Sequence, residues 1–160
     1  MFGFKKKVCE DIFAPVNGFV FDIEKVGDGI FSNKILGDGI AISPTSDVIC
    51  APCDGIITMV ASTKHAFGIK MDNDTELMVH IGLETVNLEG KYFEQLISED
   101  CKVKHGDPII KINSKKIIDA GYELTTMLII TVNDSLNNYK FIHQNSDVNT
   151  DTILIQKEDI

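Results

Sequence analysis

The phrase Ala14-Pro15-Val16-Asn17-Gly18-Phe19-Val20 returns as Ala51-Pro52-Cys53-Asp54-Gly55-Ile56-Ile57. Each copy sets a proline ahead of an Asn-Gly or Asp-Gly pair and then runs into β-branched or aromatic residues, which is the grammar of a turn feeding a strand. Two related phrases follow, Lys104-His105-Gly106-Asp107-Pro108-Ile109-Ile110 and Asn149-Thr150-Asp151-Thr152-Ile153-Leu154. A chain that repeats such a unit has to bury several strand faces against one another. The spacing is irregular and the copies few, so a sandwich or barrel of hairpin-like units is expected, not a solenoid.

The remaining sequence agrees with an all-β fold of minimal helix. Strands are predicted at Gly18 to Ile23, Gly39 to Ile42, Gly55 to Ala61, Phe67 to Met71, Glu76 to Ile81, Pro108 to Ile112, Thr126 to Val132 and Thr152 to Gln156. Helical spacing is confined to Phe93 to Ile97 and to a turn or two near Ser114 to Ala120. At 160 residues the chain has room for one core. The expected organisation is a flexible N-terminal segment, residues 1–11, followed by a single domain over residues 12–160. Phe2, Phe4 and the lysines at 5, 6 and 7 resemble a short membrane-surface anchor, although a frayed terminus is the commoner meaning of so brief a stretch.

Charge narrows the function. The net charge is -9 and all fifteen basic residues are lysine, which excludes a nucleic-acid surface and favours a basic protein partner. No apolar run reaches membrane-spanning length and no secretory signal is present, so a cytoplasmic location is expected. In that compartment Cys9, Cys50, Cys53 and Cys101 are expected as reduced thiols. The CxxC spacing of Cys50 and Cys53 lacks both a second CxxC for zinc and a redox-type βαβ setting.

Four histidines remain, and two of them bracket a predicted hairpin. His65 precedes Ala66-Phe67-Gly68-Ile69-Lys70-Met71, His80 lies in Glu76-Leu77-Met78-Val79-His80-Ile81, and Asp72, Asn73 and Asp74 between them are turn formers. Alternation puts Leu77, Val79 and Ile81 on one face of the second strand and His80 with Met78 on the other. A two-residue loop sets His65 opposite His80; a four-residue loop sets Phe67 there, with His65 as a diagonal neighbour. A three-residue loop sends the two rings to opposite faces.

Two neighbouring imidazoles suit phosphoryl transfer. One offers a ring-nitrogen lone pair to phosphorus, and the other donates a hydrogen bond to the phosphoryl oxygens. Gly82 leaves room beside His80, and Thr63 is placed to orient His65 from behind. The same pair is also half of a zinc site at His65 and His80, which a carboxylate or a partner would have to complete. A zinc-dependent hydrolase and a purely regulatory binding module therefore stand as alternatives. His105 and His143 read as surface or internally satisfied residues.

The segment Leu77-Met78-Val79-His80-Ile81-Gly82-Leu83-Glu84-Thr85-Val86 closely resembles the active-site segment of the glucose-type IIA domains of the phosphoenolpyruvate-dependent sugar phosphotransferase system. Ala14-Pro15, Gly37-Asp38-Gly39-Ile40-Ala41-Ile42 with Pro44, Ala51-Pro52-Cys53-Asp54-Gly55 and Thr63-Lys64-His65-Ala66-Phe67 resemble other landmarks of that family, in the same order, from about Ile12 to the C-terminal strand. The resemblance implies an antiparallel β-sandwich/barrel hybrid. It implies that His80 accepts phosphate on Nε2 from the phosphohistidine of the carrier HPr and passes it to a cysteine of a permease IIB domain, at the inner face of the membrane. His65 would stabilise the group, with Thr63 behind it. Partners would dock on Phe31, Ile35, Leu36, Met78 and Val86, with the acidic Asp28 and Glu84 alongside. No cofactor is required by this chemistry, although a zinc ion at a partner interface and further regulatory targets are compatible with it. Three positions depart from the family pattern: Asp74 stands for a usual Gly, Glu84 for a usual Asp, and Ala61 for a bulkier apolar residue.

Overall fold

The computed structural model describes residues 9–27, 29, 31–34, 37–132, 138–142 and 144–158. Among them the strands are β1 (Ile12–Phe13), β2 (Gly18–Asp22), β3 (Asp38–Pro44), β4 (Val48–Cys50), β5 (Gly55–Val60), β6 (Ala66–Lys70) and β7 (Glu76–Ile81). They continue as β8 (Phe93–Gln95), β9 (Lys102–Val103), β10 (Pro108–Ile112), β11 (Thr126–Val132), β12 (Asn138–Phe141), β13 (Ser146–Val148) and β14 (Ile153–Glu158), with one helix, α1 (Ser114–Asp119). An eight-stranded sheet runs β13-β2-β3-β11-β7-β6-β5-β9, and two three-stranded sheets run β1-β14-β12 and β4-β10-β8. Neighbouring strands in the eight-stranded sheet are antiparallel throughout. The all-β architecture expected from the sequence is the one found.

The echo is a structural duplication. Phe13 N–H donates to the Pro52 carbonyl and Cys50 N–H to the Pro15 carbonyl, each at 2.6 Å, so the two copies exchange equivalent hydrogen bonds. Asn17 Oδ1 accepts from Thr150 N–H at 3.0 Å, as Asp54 Oδ1 accepts from His105 N–H at 2.9 Å. These side chains therefore bind the later turn phrases and do more than shape their own. Register repeats as well: Phe13 faces Ile153 and Ile12 faces Ile155 across a bulge, while Cys50 faces Pro108 and Ile49 faces Ile110 across another. Gly18 faces Val148 as Gly55 faces Val103. The large sheet reads the same from both ends under this pairing, which places an approximate two-fold axis between β7 and β11, at the Val79–Leu128 pair.

The main core lies on the inner face of that sheet, where Ile42, Ile57, Phe67, Ile69, Val79, Ile81 and Leu128 are fully buried with Ile12, Ile49, Ile110, Leu154 and Ile155. Each such side chain contributes roughly 1.5–3 kcal/mol of burial. A second cluster covers part of the outer face: Ile23, Val26, Phe31, Ala41, Met127 and Ile129. His105 is satisfied, with its ring stacked on Phe13 at 3.8 Å between centroids.

One expectation is corrected. Phe93 to Ile97 is not helical: Phe93–Gln95 pairs with β10, and Glu89, Gly90 and Tyr92 just before it all hold positive φ (53°, 87° and 73°), which no α-helix tolerates. Helix forms at Ser114–Asp119, where Asn113 Oδ1 accepts from Lys116 N–H as an N-cap. Cys50 and Cys53 are buried, and burial pushes both thiols up, so neither has the thiolate character a redox pair needs. The N-terminal Phe2, Phe4 and lysines, and His143, lie outside the described residues.

Candidate functional site

β7 delivers His80. Leu77, Val79 and Ile81 turn inward and are buried, so the pleat turns Met78 and half-buried His80 outward, as alternation predicts. On the sheet His80 lies between Ala66 of β6 and Met127 of β11.

The hairpin register differs from both arrangements expected to join the histidines. Met71 N–H donates to the Thr75 carbonyl at 2.8 Å and Asp74 N–H to the Met71 carbonyl at 3.0 Å, closing a three-residue loop. Asp74 takes the left-handed conformation at φ 67°, the position where the family pattern has Gly and which Asp tolerates better than most residues. Strict alternation would then send His65 to the inner face. Instead the two rings meet edge-on, 4.9 Å apart at 79°. The reason is that His65 precedes the first residue of β6. It sits in a turn closed by Lys64 N–H to the Ala61 carbonyl (2.8 Å) and Ala61 N–H to the Ala66 carbonyl (2.9 Å), with Lys64 at φ 59°. The turn, not the pleat, aims its side chain.

Thr63 Oγ1 lies 2.6 Å from His65 Nδ1. Burial pushes the His65 pKa below its ordinary value, which favours the neutral ring. When the Thr63 hydroxyl donates to Nδ1, the ring proton is held on Nε2, leaving an N–H free to donate to an anion. Phe31 contacts His80 at 4.8 Å between centroids and 57°. Gly82 has a role different from leaving room: its φ is 80°, and a Cβ there would press on the Thr85 methyl and lie 2.9 Å from the Glu123 carbonyl.

The residues expected at a partner surface divide. Val86 is 47% exposed, Glu84 is exposed and Met78 half-buried, so all three are reachable. Phe31 is only 6% exposed. Asp28, Ile35 and Leu36 lie outside the described residues. Sequence reasoning overlooked Met59, which is 40% exposed and faces Gly68, itself opposite Met78. A bulge between Ile57 and Met59 hides it, because plain alternation from buried Ile57 counts Met59 as an inward residue.

Residues 10–136 match the family model described as phosphoenolpyruvate-dependent sugar phosphotransferase system, EIIA 1. The chain belongs to this family. A glucose-specific EIIA component of Bacillus cereus is 42% identical over 88% of the chain and 86% of its own length. One from Staphylococcus aureus is 37% identical over 97% of the chain and 95% of its own. The solved glucose permease IIA of Mycoplasma capricolum superposes with a TM-score of 0.85 at 30% identity, covering 96% of this chain and 99% of that one. A glucose-specific EIICBA component of Staphylococcus carnosus matches over 75% of this chain and 18% of its own length. The EIIA chain is thus a phosphoryl-carrying relay component of the phosphotransferase system. Neither a zinc-dependent hydrolase nor a purely regulatory module finds support in these relatives. Among the described residues no group of three or more His, Cys, Asp or Glu is arranged to hold a metal ion.

Proposed function

We propose that His80 is the phosphoryl-accepting residue and that it receives the group from the phosphohistidine of HPr and gives it to a cysteine thiolate of a permease IIB domain. The observation that carries this reading is the pair of imidazoles 4.9 Å apart on an open sheet face. The His80 Nε2 lone pair attacks phosphorus, and the P–N bond to the donor histidine breaks with its electrons returning to that ring. In the second transfer the thiolate attacks phosphorus, the P–Nε2 bond breaks with its electrons returning to Nε2, and the His80 ring, keeping its Nδ1 proton throughout, leaves as the neutral imidazole. His65, neutral and oriented by Thr63, donates its Nε2–H to the phosphoryl oxygens as charge gathers on them. The step needs no cofactor, and two imidazoles alone supply half of a zinc site.

Val86, Met78 and Phe31, with Ile35 and Leu36, belong to the docking surface in the family pattern, and Glu84 and Asp28 would draw in basic side chains of either carrier. Residues 12–160 act as one IIA unit in the cytoplasm, meeting the permease at the inner membrane face. Relatives named glucose-specific make a glucose-type IIB domain the first acceptor to test.

Labelled phosphoenolpyruvate with enzyme I and HPr tests the assignment. His80→Ala is expected to take up no label while keeping its fold. His65→Ala is expected to take up label but to pass it to IIB about a hundredfold more slowly. Full labelling of His80→Ala would sink the assignment.

A further inference from the structure

Phe31 borders the docking surface but is nearly buried, so docking alone does not account for its placement. It is 6% exposed, so a partner reaching it would gain little apolar contact, whereas Val86 and Met59 offer far more. Its ring lies instead against His80, at 4.8 Å and 57°.

What surrounds Phe31 makes it a firm wall. It shares a buried cluster with Val26, Ala41, Met127 and Ile129, and the last two stand on β11, the strand beside β7. Its backbone carbonyl accepts from Lys34 N–H at 3.0 Å. The Lys34 ammonium in turn sits 3.4 Å from Glu24 and 3.3 Å from Asp38, tying the turn to the segment after β2 and to the start of β3. His65 reaches His80 from the β6 side; Phe31 reaches it from the β11 side.

An imidazole on a sheet face has a broad, roughly two-fold torsion at χ2, so an unsupported ring presents either nitrogen outward. In-line transfer needs one nitrogen lone pair aimed at phosphorus throughout the encounter. We infer that Phe31 is a positioning residue that holds the His80 ring in its transfer-competent orientation, a role that rests on His80 being the acceptor.

Steady-state transfer from phospho-HPr separates positioning from docking. Phe31→Leu is expected to lower kcat about tenfold while leaving KM for phospho-HPr within about twofold. Phe31→Tyr, which keeps the ring, is expected to restore kcat. The ring-nitrogen spectrum of 15N-labelled His80 should show one ring state in the parent protein and in Phe31→Tyr, and averaging in Phe31→Leu. Should Phe31→Leu fail to fold, as judged by its melting curve, Phe31→Met fills a similar volume without the ring and is read in the same way. A raised KM with unchanged kcat would make Phe31 a docking residue and overturn the inference; so would unchanged kinetics. Label retained by His80→Ala would overturn the parent assignment instead, so the two failures are told apart.

Discussion

The two halves of the eight-stranded sheet are built alike and finished differently. Across the approximate axis Ile129 is the counterpart of His80, Met127 of Met78, Ala41 of Gly68 and Phe21 of Met59, as the matching registers require. In the first half Ala41, Met127 and Ile129 are fully buried beneath Ile23, Val26 and Phe31. Those covering residues come from the long connection between β2 and β3, residues 23–37. The counterpart connection between β5 and β6, residues 61–65, is too short to cross the face, and it leaves His80 half-buried and Met59 exposed. The short connection also supplies Thr63 and His65. The framework thus offers two equivalent outer faces, and the length of one connection decides which becomes a core and which stays open around His80.

The hardest test of that contrast is Ile129→His, which puts an imidazole at the counterpart station. Ile129 is 0% exposed in an apolar cluster. The ring would lose its water without gaining an arranged partner, at an expected cost of about 3–5 kcal/mol in urea unfolding. On a His80→Ala background it should take up no label. Parent-like stability together with labelling would show that the two faces are chemically interchangeable and that the cover is irrelevant.

A smaller effect tests the likeness instead of the difference. Gly18 and Gly55 are counterparts, and a Cβ at either would drive into a strand carbonyl, that of Ser43 or that of Lys70. Gly18→Ala and Gly55→Ala are each expected to cost about 1–3 kcal/mol, and to cost nearly the same. Equilibrium unfolding measures both, and a difference above about 1 kcal/mol would mean that the duplicated frame carries its load unevenly.

The duplication was legible in Ala14-Pro15 and Ala51-Pro52 because turn chemistry is local: Pro and Asn-Gly or Asp-Gly fix the backbone wherever they occur. Strand β7 was legible end to end because its apolar residues alternate with the pleat, and β10 and β11 because each holds a short β-branched or apolar run with buried residues on both faces. Phe93–Gln95 was missed because its strand state depends on pairing with residues far along the chain, and pairing outweighs propensity over so short a stretch. At the site, His80 followed from alternation, but the meeting with His65 did not. It depends on the left-handed Lys64 and on a turn outside the strand, where periodicity carries no information. The contact between Phe31 and His80 had no local signal, since only the fold of the 23–37 connection brings them together.

The smallest predicted effect concerns the open half and acid. Burial lowers the folded-state pKa of His65 from its ordinary 6.5, so the folded protein binds fewer protons there than the unfolded chain does. Stability from this term is therefore complete above the unfolded value and is lost as pH falls below it, levelling off once the folded value is passed. His65→Gln removes the term. The parent protein is expected to lose more stability than His65→Gln when pH falls from about 7.5 to about 5.5, a window that spans the unfolded value. Melting temperatures at the two pH values measure the difference, and equal slopes would mean that His65 pays no desolvation cost. The same depression favours the neutral ring, whose proton stays on Nε2 while Thr63 holds Nδ1. The short connection that leaves His80 half-buried thus also carries the half-buried His65 ring and the Thr63 hydroxyl that holds its Nδ1.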